Sequence, residues 1–251
     1  LLQHGLENEM DPDVGGLMVN GPAELTDQGV LGRAARLVNR EEPYGYFETV
    51  EPIEALKGQQ QYTVELWYYT DEKYSVKTNN STASLIVWYD PLERSEDAAN
   101  NPLMIELLND FWVNREDQEG FPEGWLKDSI RIYPGFIGDS DPKRQFFTKQ
   151  PYPIRKWQHL VLVKQEQSVQ FYLDGQLVES VPDTLPSSDA PMIRLGRSII
   201  GLLDHHDERE LNEGDHRSLR GRLDEVAIYD KPLTAEQVAR HFDLAKGQES
   251  P

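Results

Sequence analysis

The chain has 251 residues, with 44 acidic against 25 basic side chains and a formal net charge of −19. That balance excludes a nucleic-acid surface, which needs a basic face to neutralise phosphate, and argues equally against an anionic membrane surface. Cysteine is absent, so no disulfide framework exists, and no window approaches the roughly 18 apolar residues of a membrane span.

The length fits one all-β domain, since such sandwiches run to roughly 200–250 residues as single units. Without cysteine, a bacterial exported or envelope protein is a better fit than a stapled eukaryotic secreted domain. The chain opens Leu1-Leu2-Gln3-His4-Gly5, with no Met and no signal peptide. The expectation is a part of a larger exported protein, with a leader or anchor outside this segment.

Residues 1–33 are rich in Gly, Asp and Pro, with a turn cluster at Asp11-Pro12-Asp13-Val14-Gly15-Gly16. Leu17-Met18-Val19 is a short early strand, and Ala34-Ala35-Arg36-Leu37-Val38 a second. Tyr44 to Val50 follows. In Tyr62 to Tyr69, residues Tyr62, Val64, Leu66 and Tyr68 share one face, a period-two strand signal. Ala83 to Tyr89 is another strand. From 90 to 128 the chain turns irregular and acidic, interrupted by the apolar runs Leu103 to Leu108 and Phe111-Trp112-Val113. Ser129 to Tyr133 is a strand ending at Pro134-Gly135. Asp174-Gly175 between two alternating runs predicts a hairpin with positive φ at both central residues. Met192 to Gly196 and Leu219 to Tyr229 complete the strands, separated by a second acidic loop over 198–217. One helix is predicted near the end. Thr234 caps it, Gln237 closes the capping box, and Val238, Phe242 and Ala245 form its apolar face.

Five pieces follow one another in an ordered series. They are Trp157-Gln158-His159-Leu160-Val161, Val169 to Gly175 with Tyr172-Leu173-Asp174-Gly175, Ile193-Arg194-Leu195-Gly196, Gly221-Arg222-Leu223-Asp224-Glu225-Val226, and Leu233-Thr234-Ala235-Glu236-Gln237. This series resembles the laminin-G-like, concanavalin A-like lectin and glucanase jelly-roll family of bacterial surface proteins. Leu31-Gly32-Arg33-Ala34-Ala35 and Thr63-Val64-Glu65-Leu66-Trp67 resemble its early strands more loosely. The resemblance implies a two-sheet antiparallel jelly-roll sandwich of roughly a dozen strands, its terminal strands adjacent and a short C-terminal helix on its edge. It covers residues 1–251 as one domain, with acidic insertions at about 90–128 and 198–217 that exceed the family's usual connections.

Four groups of residues bear on chemistry. Asp224 shares a strand face with Val226 and Ile228 by alternation, so it enters the sheet from the core side, where a carboxylate must be paired, hydrogen-bonded or metal-bound. The resemblance implies a structural Ca2+ at this Asp, with Asp11, Asp13 and Asp27 as its candidate partners. The alternative is a carboxylate held by backbone amides or by Arg33 or Arg222. His205, His206 and His216 lie among acids in one loop, which is a zinc pattern only if a frame assembles them and otherwise a solvated acidic loop. Trp112, Trp125, Tyr133 and Phe136 fall in or beside irregular segments and are candidates for a carbohydrate platform, against ordinary core packing. Asn79-Asn80-Ser81-Thr82 carries overlapping glycosylation sequons, or simply a polar hairpin loop.

No catalytic pattern is complete. A glycosidase needs two carboxylates about 5–10 Å apart. Glu9-x-Asp11 and Glu213-x-Asp215 only begin the Glu-x-Asp-x-x-Glu pattern of glucanases on this fold. The expectation is a non-catalytic extracellular or envelope binding module for carbohydrate or a protein partner. The other readings are a glycoside hydrolase or lyase with an unrecognised site, and a structural or adhesive spacer.

Overall fold

The computed structural model describes residues 2–4, 17–39, 44–73, 82–89, 103–108, 128–134, 146–182, 188–197 and 217–247. Their strands are β1 (Leu2–His4), β2 (Leu17–Asn20), β3 (Ala23–Thr26), β4 (Ala34–Leu37), β5 (Tyr46–Thr49), β6 (Tyr62–Thr70), β7 (Thr82–Tyr89) and β8 (Leu103–Leu108). The series continues with β9 (Ile130–Pro134), β10 (Phe146–Phe147), β11 (Gln158–Lys164), β12 (Ser168–Leu173), β13 (Gln176–Pro182), β14 (Met192–Leu195) and β15 (Gly221–Tyr229). One helix, α1 (Ala235–Lys246), follows.

The strands form two antiparallel sheets. One has eight strands in the order β13-β12-β11-β6-β15-β4-β3, with β1 paired to β15 beyond the end of β4; the other has seven, in the order β10-β9-β8-β7-β14-β5-β2. This is the jelly-roll sandwich expected from the sequence. The first and last strands are neighbours, with Leu2 opposite Ile228. A single buried cluster joins the facing sides. Val64, Leu66, Tyr68, Leu160, Leu162 and Phe171 come from one sheet, and Ile86, Trp88, Leu103, Ile105, Ile132 and Ile193 from the other. Each of these is a period-two position, so the alternation in the sequence is the core.

The β12–β13 hairpin turns at Asp174 and Gly175, with φ of 49° and 75°, as the Asp-Gly pair predicts. Helix α1 begins with the full capping box: Thr234 Oγ1 accepts from Gln237 N at 3.3 Å, and Gln237 Oε1 accepts from Thr234 N at 2.9 Å. It does not sit on the edge of the sandwich. It lies across the outer face of the eight-stranded sheet, where Val238 packs with Val161, Val163 and Tyr172, and Ala245 and Phe242 pack with Trp67 and Val30. The reason is in β6 and β11, which are apolar on both faces: Trp67, Val161 and Val163 point away from the core and need a cover.

Strand β15 departs from simple alternation. Leu223 lies opposite Tyr68, Asp224 opposite Trp67, and Ala227 opposite Glu65, so the register slips between Asp224 and Ala227. Glu225 takes φ +47° in that bulge. Leu223, Val226 and Ile228 all reach the core. Asp224 is therefore on the outer face with Trp67, not on the core face with Val226 and Ile228.

Candidate binding face

The register that sends Phe47, Ile193, Ile86, Leu103 and Ile132 into the core dictates the outer face of the seven-stranded sheet. One row crosses six adjacent strands there: Met18 opposite Glu48, Glu48 opposite Arg194, Arg194 opposite Val87, Val87 opposite Met104, and Met104 opposite Tyr133. At its β5–β14 end the polar members lock together. Glu48 Oε1 accepts from the Tyr89 hydroxyl at 2.6 Å and from Arg194 Nε at 2.8 Å, and Arg194 Nη2 lies 2.7 Å away. The Arg194 guanidinium covers the Tyr46 ring at 4.4 Å from its centroid and stands 6.0 Å from that of Tyr89. Arg197 continues the stack, 5.4 Å from the Tyr44 centroid and 5.7 Å from that of Tyr46.

This lattice has two properties of a binding surface. It is rigid, because each guanidinium is held by an aromatic face or a carboxylate and so keeps few rotamers. It also reaches solvent: Tyr44, Tyr46, Met192 and Arg197 are half-buried, and Arg194 and Glu48 keep 13 and 12% side-chain exposure. Planar donors, a carboxylate acceptor and tyrosine rings then lie side by side, a mixture suited to ligands with both apolar faces and hydroxyls.

Farther along the same face Glu106 is fully buried. Arg131 Nε donates to it at 3.0 Å, Arg131 Nη2 makes a second bond, Arg217 Nη1 stands at 3.3 Å and Ser84 Oγ at 3.1 Å. Burial pushes the Glu106 carboxyl pKa up, but the two guanidiniums and the Ser84 hydroxyl outweigh it and hold the group below its usual value. Glu106 is thus a fixed anion rather than a proton donor.

A family model for the concanavalin A-like lectin/glucanases superfamily matches residues 42–239. The chain belongs to this superfamily. Similar solved structures include domain 4 of AbnA, a GH43 extracellular arabinanase from Geobacillus stearothermophilus, in complex with arabinotriose. That match has a TM-score of 0.55 and 20% identity, and covers 92% of this chain and 88% of that one. A putative carbohydrate binding protein from Bacteroides ovatus matches with TM-score 0.50 and 11% identity, over 82% of this chain and 46% of that one. The binding domain of Paraclostridial Mosquitocidal Protein 1 matches with TM-score 0.54 and 12% identity, over 97 and 51%. The chain thus spans about half the length of these last two. No curated protein matches it in sequence.

On this superfamily sandwich, Asp224 is fully buried, as the sequence requires, and it is held by backbone amides. Oδ2 accepts from Val30 N at 2.7 Å and Leu31 N at 3.3 Å, and Oδ1 from Glu225 N at 2.9 Å. Neither Arg33 nor Arg222 is its partner: Arg33 faces Asp27 at 3.6 Å, and Arg222 lies over Tyr69. Gly29 makes the close approach possible, since a Cβ there would stand 2.7 Å from Asp224 Oδ2. Calcium takes six to eight oxygens. Here N–H donors occupy the carboxylate, Asp27 is 96% exposed, and no group of three or more ligating side chains forms among the described residues. The described residues by themselves therefore assemble no calcium site. Asp11, Asp13, Trp112, Trp125, Phe136 and the histidines 205, 206 and 216 lie outside the described residues. Tyr133 is described in backbone only, at the far end of the outer-face row.

Tyr46, Glu48, Tyr89 and Arg194 are not among the residues expected from the sequence to bind a ligand. Their signal was present. In Tyr44-Gly45-Tyr46-Phe47-Glu48 and Met192-Ile193-Arg194-Leu195, the positions alternating with core residues carry aromatics and charges rather than small polar residues. A second buried cluster is likewise absent from the sequence expectations. Glu65 Oε1 stands 2.7 Å from His159 Nε2, and Glu65 Oε2 lies 2.9 Å from His241 Nδ1 and accepts from the Tyr229 hydroxyl at 3.0 Å. It lies beneath α1 and clamps the helix to β6, β11 and β15.

Proposed function

We propose that this chain is a non-catalytic binding module of an exported protein, and that it recognises carbohydrate through the outer face of the seven-stranded sheet. The observation that carries the reading is the Tyr46–Arg194–Glu48–Tyr89 lattice, with Tyr44 and Arg197 at its rim. Sugar rings present C–H faces that stack on tyrosine, and vicinal hydroxyls that match the two-pronged geometry of a guanidinium or carboxylate. Two of the similar structures are described as carbohydrate-bound or carbohydrate-binding, which supports the same class of ligand. The non-catalytic part of the proposal is supported by the two carboxylates described on this face: Glu48 is held by Arg194 and Tyr89, and the buried Glu106 by Arg131, Arg217 and Ser84, rather than standing free as a glycosidase pair.

A glycan array of plant, algal and bacterial polysaccharides tests the reading, followed by titration calorimetry on the best binder. Arg194→Ala and Tyr46→Ala are each expected to weaken binding about tenfold or more, as loss of a charge-assisted hydrogen bond or a stacking face does. Silence across the array, or variants that bind like the wild type, would overturn the assignment. Release of reducing ends from the bound polysaccharide would overturn the non-catalytic part alone.

One observation favours a protein partner as a second reading. Strand β13 pairs only with β12 among the described residues and presents Leu177 and Val178 at 52 and 41% exposure, beside a cleft of about 380 Å3 that also takes in Tyr152 and Gln176. An open edge of this kind accepts an extended peptide as an added strand.

A further inference from the structure

Helix α1 covers only part of the eight-stranded sheet's outer face. Beyond it a second row crosses four adjacent strands: Glu24 on β3 opposite Arg36 on β4, Arg36 opposite Arg222 on β15, and Arg222 opposite Tyr69 on β6. Trp157, just before β11, extends the row, its ring 5.5 Å from that of Tyr69 and inclined at 61°. All are half-buried except Glu24, which is exposed. A hollow of about 280 Å3, lined by Arg36, Val38, Asp71, Glu72 and Arg220, opens beside them.

The charges in this row are unevenly satisfied. Arg36 Nη1 donates to Glu24 at 3.0 Å, and Arg220 is bound to Glu72 at 2.5 Å and to the Asn39 carbonyl at 2.9 Å. The Arg222 guanidinium lies over Tyr69, 4.3 Å from the ring centroid, and among the described residues no carboxylate pairs with it. The Nε atoms of both Arg36 and Arg222 are buried and have no hydrogen-bond partner. Two like charges directly opposite across an antiparallel pair repel, and a strand pairing normally avoids them. Here they face one another in a chain carrying 44 acids, so cationic side chains are scarce and this pairing is costly unless an anion bridges it.

We propose that this row is a second ligand site, separate from the seven-stranded face, and that it takes an anionic saccharide residue. The acid group bridges the guanidiniums of Arg222 and Arg36, and the sugar ring lies against Trp157 and Tyr69. Each side chain then has one task. The Tyr69 face holds the Arg222 guanidinium in plane, which leaves its edge N–H groups directed outward for a two-pronged bond to an acid group. Glu24 holds Arg36 and sets the far limit of the site. Trp157 supplies the apolar face that separates a charged sugar from a free inorganic anion. The site complements the first: the seven-stranded lattice has Glu48 among its arginines and suits hydroxyl-rich ligands, whereas this row has an arginine pair with a single acid at its end.

Trigalacturonate and its fully methyl-esterified form differ only in charge and are the probes. Calorimetry on the whole chain is expected to show binding of the acid at least about tenfold tighter than of the ester. Binding of the acid should weaken as sodium chloride rises. Arg222→Ala and, independently, Arg36→Gln are expected to lower affinity for the acid about tenfold while leaving affinity for the ester unchanged. Trp157→Ala should weaken both probes. Sulfate at millimolar levels that displaced the acid as effectively as unlabelled trigalacturonate would mean a plain anion site and overturn the saccharide assignment. Equal affinity for acid and ester, or no binding of the acid, would overturn the site. If both arginine variants bound like the wild type, it would equally fall. All of these titrations are made in an Arg194→Ala background, so that probe bound at the Tyr46–Arg194 face does not enter the comparison, and failure of that face and failure of this site are read separately.

Discussion

Asp224 shows how much one side chain can be asked to do. Strand β15 is flanked on one side by β4, which ends opposite Leu223, and then by β1, which starts opposite Val226. Asp224 and Glu225 fall in the gap, and the turn at Gly29–Leu31 fills it by giving its amides to the Asp224 carboxylate. Asp224→Ala leaves those amides without an acceptor in a buried place, so it is expected to cost about 3 kcal/mol. Asp224→Asn should recover only part of this, because its NH2 group would meet N–H donors. Urea unfolding in the presence of chelator checks both, since the amide bonds to Asp224 remain when any cation is removed. An unchanged midpoint in Asp224→Ala would refute this role. From the sequence, burial and the need for partners were legible at this residue. Its face was not, because alternation assumes an unbroken register and the bulge at Glu225 shifts the phase by one.

At the scale of elements, α1 is fastened to the sheet by more than its apolar stripe. Glu65 on β6 receives His159 from β11, His241 from the helix and the Tyr229 hydroxyl from β15, while Trp67, His159 and Phe242 stack beside them with centroids 4.9 to 6.0 Å apart. Burial alone would raise the Glu65 pKa, but the hydrogen bonds and charges of His159 and His241 outweigh it and hold it below 4.5. A carboxylate depressed in the folded state contributes stability that is complete above its unfolded value, near 4.5, and disappears as pH falls through the folded one. The stability gap between wild type and Glu65→Gln is therefore expected to be full above about pH 4.5 and to close as pH falls below it. Urea midpoints of the two proteins across this range measure it, and the other carboxylates cancel in the comparison. A gap that stayed constant to about pH 3 would show that Glu65 does not titrate as the clamp requires. The helix itself was legible down to its capping box, because caps and apolar spacing are local. Its seat was not, because that depends on which strands of the finished sheet are apolar on both faces.

For the whole molecule, sequence pattern and fold agree where short-range alternation decides, and part where strands distant in sequence meet. The Tyr46–Arg194 lattice joins residues almost 150 positions apart, and the Arg36–Arg222 row a still longer interval. No local pattern announces either, although the residue types on both outer faces did carry a hint. The charge of −19 acts at this largest scale too. It favours solubility and opposes compactness through self-repulsion. Salt screens that repulsion, and it also screens the ion pairs, so the sign of its effect must be decided by size. The exposed pairs Arg36–Glu24 and Arg33–Asp27 are worth about 0–1 kcal/mol each. The pairs that hold structure, buried at Glu106 and largely buried at Glu48, are less affected. Repulsion among unpaired surface acids is the larger loss, so raising sodium chloride from about 20 to about 200 mM is expected to raise the melting temperature. The rise should be about 2–4 °C for each kcal/mol of repulsion removed, at this chain length. Calorimetry at neutral pH, with no ligand present, gives the sign directly. A melting temperature that fell with salt would mean that the exposed ion pairs outweigh the net charge. The acidic surface would then be organised, residue by residue, around its few cations.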